Sequence, residues 1–542
     1  MKAAIRKLLR LAPRFGAGSA LLAVMVAMAI VAPAQTYNLL ASFDGTNGST
    51  PNLSPLVQGP DGDLYGTTVV GGDWGLGTVF KVTPTGTLTK LYSFCTKTNC
   101  TDGSKPLGGL VLGRDGNFYG TTEVGGTSNA GTIYKITPAG SLTTLYSFNG
   151  TYGSTPFAGL IQASDGNFYG TTEGYTVFKM TPKGKVTLLH TFNGSDGSVP
   201  RAALIQASDG NLYGTTFGGG AYGDYGTIFM VTLKGKFTSL YSFDGPHGYG
   251  PWAPLIQASD GSFYGTTYDG GANNNGTIFK MTAQMKSTWI YSFQWGVSGA
   301  NPEAGLAQGT DGNFYGTTSL GSPSTIFDIT PDGTLTTLYN FGSQGDGNIP
   351  TASPLQATNG TFYGTTAGGG AYGYGTVFSL SMGSGAFVSL QPNSGVPQQT
   401  VQILGQGFNS TTSVMFGSGS AKFTVISDGY MTAIVPAEGT SGYVTVTTGS
   451  GTLNSNKPFT LIPVIKTFAP TSGKVGTQVT ITGGGFHGTT KVAFGGVKAT
   501  SVSVDSGSQI TAVVPTGAKK GTISVTTAGG TAISKGKFTV TN

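Results

Sequence analysis

The tetrapeptide Tyr-Gly-Thr-Thr recurs along this chain, and its regular spacing limits the possible folds more than any other feature. Successive copies lie roughly 50 residues apart, a period that is typical of propeller blades and related repeat units. The residues around each copy repeat as well, so the tetrapeptide marks a unit of structure. The copies begin at Tyr65, Tyr119, Tyr169, Tyr213, Tyr264, Tyr315 and Tyr363.

Each copy contains four short stretches of aromatic and β-branched residues, which indicate strands, separated by turn signals. Asp-Gly, or Asn359-Gly360 in the last copy, joins the first two strands as a tight hairpin. Pro-x-Gly, as at Pro182, joins the third strand to the fourth. Units of four antiparallel strands in this number predict an all-β fold, a seven-bladed β-propeller. A flat solenoid is the alternative, but its ends need atypical caps and these copies stay regular.

Residues 37–43 match the fourth strand of the repeat, but the first three strands of a blade do not precede them. The seventh copy has the first three strands of a blade but lacks the fourth, because a different module follows from about residue 385. We therefore predict that strand 37–43 completes the seventh blade and that residues 35–384 form the closed ring.

The first 34 residues run from basic to apolar to small, an order that is typical of a secretory signal peptide. An uncleaved membrane anchor is the alternative, but the apolar run at 17–32 is short, and we expect cleavage near Ala34 or Gln35. No later stretch reaches the length of a transmembrane span, so we expect an exported protein, either extracellular, at the cell surface or in the periplasm. The basic residues of the leader are Lys2, Arg6, Lys7, Arg10 and Arg14.

The formal net charge of +6 comes almost entirely from this leader. The remaining chain is nearly neutral, which removes the electrostatic reason to expect a nucleic-acid partner. Low charge and 91 glycines could also indicate disorder, but aromatic and β-branched residues recur regularly throughout the chain.

The only cysteines, Cys95 and Cys100, predict one disulfide that closes a small surface loop in an exported protein. A metal site would need further ligands, and neither a second cysteine pair nor a nearby histidine is available. We therefore expect no cofactor. Calcium is the remaining alternative, because residues 44–48 and 193–197 place Asp and Asn in glycine turns, without the final Glu of a complete calcium loop.

The loops from strand two to three and from strand four to one vary in length, and in a propeller they emerge on one face. Binding groups usually lie on such loops, where aromatic side chains stack on sugars or anchor a protein partner. The simpler interpretation is that these side chains pack between neighbouring loops. The candidate ligand-binding residues are Trp74, Tyr222, Tyr225, Tyr249, Trp252, Trp295, Tyr372 and Tyr374.

Support for catalysis is weaker, since none of the few glutamates and histidines lies in a nucleophile or zinc motif. Glu123 and Glu173 directly follow the tetrapeptide in adjacent copies, and they are weak candidates for the carboxyl pair of a glycosidase. The alternative is that both are ordinary solvated side chains. His190 replaces the tyrosine of a fourth strand, so we expect it to pack rather than to react.

A second self-similarity begins near residue 385 and defines two modules, 385–462 and 463–542. Residues 387–395 correspond to residues 465–473, and residues 401–408 correspond to residues 479–486. Alternating apolar residues without a cysteine pair predict two small immunoglobulin-like β-sandwich domains.

The Pro-x-Ser-Gly, Gly-x-Gly-Phe, Val-x-Phe-Gly and Val-Pro pattern of these modules resembles the IPT/TIG domain. The Asp-Gly-x-x-Tyr-Gly-Thr-Thr repeat resembles the GloVer tandem repeat, of Gloeobacter/Verrucomicrobia type, found in exported bacterial proteins. This resemblance implies an architecture and does not imply an activity.

We expect an exported binding or adhesion protein in which the loop face of the propeller captures a glycan or a protein, with the sandwiches as spacers or docking modules. The alternatives are a secreted polysaccharide-active enzyme, a glycosidase or lyase that uses the two glutamates, and a structural component of the envelope. The identity of the ligand and the oligomeric state stay open, because a fold predicts a platform and not a reaction.

Overall fold

The computed structural model describes residues 35–282, 284–342 and 345–541, and the predicted signal peptide lies outside them. Over these ranges the chain forms strands, turns and two short 3-10 turns, at Thr98–Cys100 and Phe408–Ser410, and no α-helix. Seven four-stranded antiparallel sheets precede two smaller β-sandwiches, which confirms the predicted fold class. No helix in the described ranges has the length and hydropathy of a membrane span.

Each blade is a meander in which strand order in the sheet follows strand order in the sequence. Blades 1 and 2 contain Val57–Gln58, Leu64–Thr68, Thr78–Val82, Leu88–Ser93 and Val111–Leu112, Phe118–Thr122, Thr132–Ile136, Leu142–Ser147. Blades 3 and 4 contain Ile161–Gln162, Phe168–Thr172, Thr176–Met180, Val186–Thr191 and Ile205–Gln206, Leu212–Thr216, Thr227–Val231, Phe237–Ser242. Blades 5 and 6 contain Ile256–Gln257, Phe263–Thr267, Thr277–Met281, Ser287–Ser292 and Ala307–Gln308, Phe314–Thr318, Thr325–Ile329, Leu335–Asn340. Blade 7 contains Leu355–Gln356, Phe362–Thr366 and Thr376–Ser381.

The N-terminal strand, Thr36–Ser42, is the fourth strand of blade 7, where it pairs antiparallel with Thr376–Ser381. Tyr37 stacks on Tyr339 of blade 6, with 3.8 Å between the ring centroids. The Tyr37 hydroxyl also donates a hydrogen bond to the backbone oxygen of Asp346 at 2.7 Å. The two ends of the ring are therefore joined by one sheet and one aromatic stack.

The spacing Asp-Gly-x-x-Tyr reflects a contact on the face that carries the short turns, which we call the turn face. In blade 3 the Tyr169 hydroxyl donates to Asp165 Oδ2 at 2.8 Å, and Lys179 Nζ lies 2.8 Å from the same oxygen. Burial by itself raises the pKa of the Asp165 carboxyl, but hydrogen bonds from Lys179, Asn167 and Tyr169 hold it below its ordinary value. The tyrosine contact recurs at Asp61, Asp115, Asp209, Asp260 and Asp311, and at Asn359 with the amide as donor.

The first threonine of the tetrapeptide connects each blade to the next one. Thr121 Oγ1 donates to the backbone oxygen of Ala158 at 2.9 Å. Thr365 of blade 7 donates to the backbone oxygen of Pro51 at 3.3 Å, so the series of bonds continues across the closure. Such buried bonds contribute about 1 kcal/mol each. The equivalent donors are Thr67, Thr171, Thr215, Thr266 and Thr317.

The apolar core of the propeller lies between adjacent blades. Ile133 and Phe148 of blade 2, for example, pack with Leu160 and Phe168 of blade 3, and all four are buried. Because each blade buries one side against each neighbour, a single blade cannot form a core alone.

The predicted disulfide between Cys95 and Cys100 is present, in the loop from blade 1 to blade 2. Asp102 holds the same loop, because its Oδ2 accepts hydrogen bonds from the Tyr92 hydroxyl at 2.6 Å and the Thr96 backbone at 3.0 Å. The bridge therefore closes a loop that also has its own hydrogen bonds.

Each of the two C-terminal modules is a sandwich of two main sheets around one apolar core, and the first also has a two-stranded parallel sheet. The first contains Ser389–Gln391, Ser394–Gly395, Thr400–Leu404, Ser413–Phe416, Gly419–Ser420, Phe423–Ser427, Tyr430–Ile434, Val444–Thr448, Gly451–Asn454 and Thr460–Leu461. The second contains Val464–Ala469, Ser472–Gly473, Gln478–Gly484, Lys491–Phe494, Val497–Lys498, Val502–Ser506, Gln509–Val513, Gly521–Thr527 and Gly530–Val540.

A belt of glutamine contacts on the turn face is interrupted between blades 1 and 2. In other blades the glutamine of the first strand accepts a backbone N–H from the preceding blade, as Gln162 does from Arg114 at 2.9 Å. Blade 2 has Leu112 at the acceptor position, and the donor position is Pro60, which has no N–H. The other acceptors are Gln58, Gln206, Gln257, Gln308 and Gln356.

The first sandwich docks on the turn face at this interruption. Gln402 Nε2 donates to the backbone oxygen of Arg114 at 3.0 Å, and Ser427 Oγ donates to that of Pro60 at 3.1 Å. Leu404 packs against the apolar core between blades 1 and 2. On blade 7, the backbone oxygen of Thr358 accepts the Phe387 N–H at 2.9 Å. The sandwich therefore covers turns of blades 7, 1 and 2 and leaves the opposite face open.

Candidate binding site at the channel mouth

Two positions in each blade meet on the loop face, the face opposite the docked sandwich. One follows the proline before the first strand, and the other follows the tetrapeptide at the end of the second strand. A backbone hydrogen bond holds the two segments together, as from Glu173 N to Thr155 O at 3.0 Å and from Phe217 N to Val199 O at 3.0 Å. The repeat thus places two side chains per blade near the axis, and their identity differs from blade to blade.

An axial cavity of about 110 Å³ lies inside the ring of first strands. Small residues such as Gly108, Ala158 and Gly159 form much of its wall, and they bring the strands close together. A Cβ added at Gly159 would lie 2.6 Å from the backbone oxygen of Gly109, so glycine is needed there for the close approach. The lining also includes Leu53, Phe157, Arg201, Trp252, Glu303 and Thr351. We call these six residues the channel mouth.

Arg201 is surrounded by three aromatic rings and one carboxylate. Its Cζ atom lies 4.5 Å from the ring centroid of Trp252, 4.8 Å from that of Phe217 and 5.4 Å from that of Phe157. Its Nε donates to Glu173 Oε1 at 2.7 Å, and both side chains are about three quarters buried. Aromatic faces attract a guanidinium, and a partly buried ion pair fixes its orientation. The Nη atoms have no hydrogen-bond partner among the described residues, so they can donate to a ligand.

Trp252 packs tightly but leaves one polar atom unsatisfied. Its rings lie 5.1 Å from Phe217 and 5.6 Å from Tyr268, measured between centroids. Its Nε1 is buried and has no hydrogen-bond partner in the described part of the chain. A buried N–H without a partner is costly and rare, so such a donor indicates a place where a water or a ligand binds.

Glu303 occupies the equivalent position of the next blade. Burial raises the pKa of its carboxyl, and a hydrogen bond from Ser319 Oγ at 3.2 Å acts in the opposite direction. No ion pair within the described residues includes Glu303. The channel mouth thus contains an acceptor that no cation neutralises, one blade away from the unsatisfied Trp252 donor.

Comparison with known proteins identifies the repeat. Residues 26–176 and 174–378 match the Gloeobacter/Verrucomicrobia repeat family. The chain belongs to this family. Residues 386–461 and 463–541 match the IPT/TIG domain, so both resemblances are confirmed.

No curated protein is similar enough to this family member to count as a relative. Extracellular domains of two B. thetaiotaomicron proteins, described as hybrid two component systems, are 12% and 10% identical and cover 78% of the chain, with TM-scores of 0.46 and 0.44. The chain covers 57% and 59% of those domains, less than two thirds of their length. SGBP-B from a xyloglucan utilization locus in Bacteroides uniformis is 21% identical, over 28% of this chain and 48% of that one, with a TM-score of 0.16. Likeness at these TM-scores supports no functional argument.

The aromatic residues predicted from the loops of this repeat-family chain are not gathered in one place. Trp252 lies in the channel mouth, packed around Arg201. Tyr225 and Tyr249 form a pair, with 5.6 Å between their centroids. Tyr374 packs on Gly45, where a Cβ would lie 3.4 Å from its ring. Strongly exposed side chains are those of Trp74, Tyr222, Trp295 and Tyr372.

The two predicted acidic residues have different surroundings. Glu173 binds Arg201, as described above, whereas Glu123 is partly buried in blade 2 and does not line the cavity. His190 packs, in a stack on Phe237 with 3.7 Å between centroids, and its Nε2 lies 2.9 Å from Asp196 Oδ2. A carboxyl pair for catalysis at Glu123 and Glu173 stays a prediction.

The two turns considered for calcium use their oxygens in local hydrogen bonds. Asp44 Oδ1 accepts the backbone N–H groups of Thr46 and Asn47, both at 2.9 Å. Asn193 and Asp196 cap each other's backbone in the same way. No group of three or more potential metal-binding side chains occurs within the described ranges.

Sequence reasoning missed Arg201, Glu303, Phe157 and Phe217. A signal for them exists, because aligning the repeats on the proline and on the tetrapeptide shows two positions per blade that change chemical class. Trp252 was predicted at the first of these positions, but the other residues were not, because the choice among loop residues rested on tryptophans and tyrosines.

Proposed function

We propose that this chain is an exported binding protein in which the channel mouth of the propeller recognises a glycan. The observation that carries the proposal is the cluster of Arg201, Trp252 and Glu303 on consecutive blades. Elsewhere the repeat uses the same residue in most blades for a structural contact, whereas here it combines unsatisfied donors with an unpaired acceptor. Clefts with apolar walls and a few convergent polar groups are the usual form of small-ligand sites.

The hydrogen-bonding groups of the cavity favour a glycan as the ligand. A space of about 110 Å³ admits one projecting group of such a ligand. Sugars offer hydroxyls that both donate and accept, which fits a mouth that contains both kinds of partner.

Export is supported by two independent features of the chain. The first 34 residues have the basic, apolar and small order of a secretory leader. The disulfide between Cys95 and Cys100 belongs to an oxidising compartment. Fractionation of the native host, with N-terminal sequencing of the mature protein, tests this part. Recovery of an uncleaved protein from the cytoplasm would contradict it.

Binding is tested with purified residues 35–542 on a broad glycan array, followed by calorimetry on each hit. Trp252→Phe keeps an aromatic ring beside Arg201 and removes the indole N–H together with part of the ring. We expect it to weaken binding roughly tenfold, or by about 1.4 kcal/mol, because one buried hydrogen bond to the ligand is lost.

Trp289→Phe is the matched control, since Trp289 is a half-exposed residue on the outer strand of blade 5. Its affinity should equal that of the wild type. If Trp74→Phe weakens binding and Trp252→Phe does not, the site lies on the outer loops and the proposal for the channel mouth fails.

A further inference from the structure

The channel mouth divides into an apolar arc and a polar arc. Leu53 of blade 1 and Phe157 of blade 3 contribute apolar surface to the cavity. Trp252, Glu303 and Thr351, from blades 5 to 7, line the cavity with side chains that carry an N–H group, a carboxyl and a hydroxyl. A sugar ring has the same division, with C–H groups on its face and hydroxyls at its edge.

The charges of the site do not favour an anion. The guanidinium of Arg201 is already paired with the carboxylate of Glu173 at 2.7 Å. Glu303 adds a further acidic group for which the described residues provide no cation. When Glu303 is ionised, the cluster therefore carries a net negative charge, and a ligand carboxylate would meet repulsion in a partly buried site.

The hydrogen-bonding groups call for a partner that both accepts and donates. Trp252 Nε1 can only donate, whereas an ionised Glu303 can only accept. These two side chains stand at equivalent positions of adjacent blades, next to each other around the axis. Neighbouring hydroxyls on one sugar ring satisfy both, because one can accept from Trp252 while the other donates to Glu303. A carboxylate can only accept, so wherever it faces an ionised Glu303 it cannot donate a hydrogen bond and is repelled.

We infer that the channel mouth selects an uncharged sugar residue with adjacent hydroxyls, and that Glu303 rejects sugars that carry a carboxylate. This inference rests on the proposed glycan-binding function and adds the charge class of the ligand. Glu303 acts here as a specificity-determining residue of the site, whereas the charge of Arg201 is balanced by Glu173 and only its Nη atoms are left as hydrogen-bond donors.

The test compares matched tetrasaccharides at pH 7.5 by calorimetry, using purified residues 35–542. Neutral tetrasaccharides of glucose, galactose and mannose are each paired with a counterpart oxidised to a carboxylate at C6. We expect the wild type to prefer at least one neutral member over its oxidised counterpart by about tenfold or more. Glu303→Gln keeps the shape of the side chain and removes its charge, so we expect this preference to fall to about threefold or less.

Glu438→Gln is the matched control, because it makes the same chemical change in the first sandwich, away from the loop face, and its preference should equal that of the wild type. Equal wild-type affinity for both members of a bound pair would overturn the charge inference and leave the glycan-binding function standing. An unchanged preference in Glu303→Gln would also overturn the inference. Failure of the wild type to bind any glycan, on the array or among the tetrasaccharides, would overturn the proposed function itself. If Glu303→Gln does not fold, the wild-type preference alone decides whether carboxylate sugars are rejected.

Discussion

The two faces of the propeller use one repeat in opposite ways. On the turn face the repeat places an acidic residue against a tyrosine in nearly every blade, as Asp165 against Tyr169. On the loop face it places a different side chain in each blade at the same backbone position, from Phe157 to Arg201 to Trp252. The difference indicates that the turn face determines stability, whereas the loop face is free to bind. Substitutions on the two faces should therefore separate these properties.

The largest effect is expected from Asp165→Ala on the turn face. It removes the hydrogen bonds from Tyr169 and Asn167 and the ion pair with Lys179, so we expect about 2 kcal/mol of destabilisation and unchanged ligand affinity. Denaturant unfolding and calorimetry measure the two quantities.

Asp209→Ala provides the comparison, because blade 4 has Met230 in place of the lysine. The loss of stability in Asp209→Ala should be smaller than that in Asp165→Ala by up to about 1 kcal/mol, which is the contribution of a partly exposed ion pair. A loss of ligand affinity in either variant would show that stability and binding are not determined by separate faces.

A gain in stability is expected from Asp328→Lys in blade 6. Asp328 lies opposite Tyr315 on the neighbouring strand. In blade 3 the equivalent position, opposite Tyr169, is occupied by Lys179. Burial and the nearby Asp311 raise the pKa of the Asp328 carboxyl, and its Oδ1 is buried without a hydrogen-bond partner in the described structure. A lysine would face Asp311 as in other blades, and we expect about 1 kcal/mol of stabilisation by thermal or denaturant unfolding. A destabilised variant would show that blade 6 depends on its carboxyl.

Acid should weaken the aspartate contacts of the turn face. The pKa values of Asp115, Asp165 and Asp260 lie below the ordinary value, because their lysine, tyrosine and backbone hydrogen bonds outweigh the effect of burial, which raises them. A depressed folded pKa gives stability that is present above the unfolded value near pH 4 and is lost as pH falls through the folded value.

Lys179→Met, the residue that blade 4 carries, isolates one such pair. Its free energy of unfolding at pH 7 should be lower than that of the wild type by less than about 1 kcal/mol. The difference should shrink as Asp165 is protonated, which unfolding series at pH 7, 4 and 3 would reveal. A difference that persists at pH 3 would assign the effect to packing.

The smallest effect is expected from Glu123→Gln. This side chain is on the loop face but outside the cavity, so stability should stay within about 0.5 kcal/mol and affinity should not change. Turnover of a polysaccharide that this substitution abolishes would instead support the enzymatic alternative.

Much of the fold could be predicted because its determinants are local. Asp165, Gly166 and Tyr169 lie within five residues and specify a turn and its side-chain contact. The candidate site is different, since Arg201 meets Glu173 and Trp252 across blade boundaries. Those contacts depend on the offset between neighbouring blades, which no single repeat encodes. The docking of the first sandwich at Leu112 and Pro60 was unforeseen for the same reason, although the missing glutamine is visible in the sequence.

The position of the first sandwich affects how the molecule responds to mechanical load. The chain leaves the propeller after Thr376–Ser381, the strand that the closing strand Thr36–Ser42 covers. A pull on the C-terminal module would act directly on this seam if the sandwich hung free. Because the sandwich also holds Pro60, Leu112 and Arg114, it passes part of the tension to blades 1 and 2. Tension applied through the C-terminal modules is thus shared by several blades, and the pairing of the closing strand with Thr376–Ser381 carries less of it.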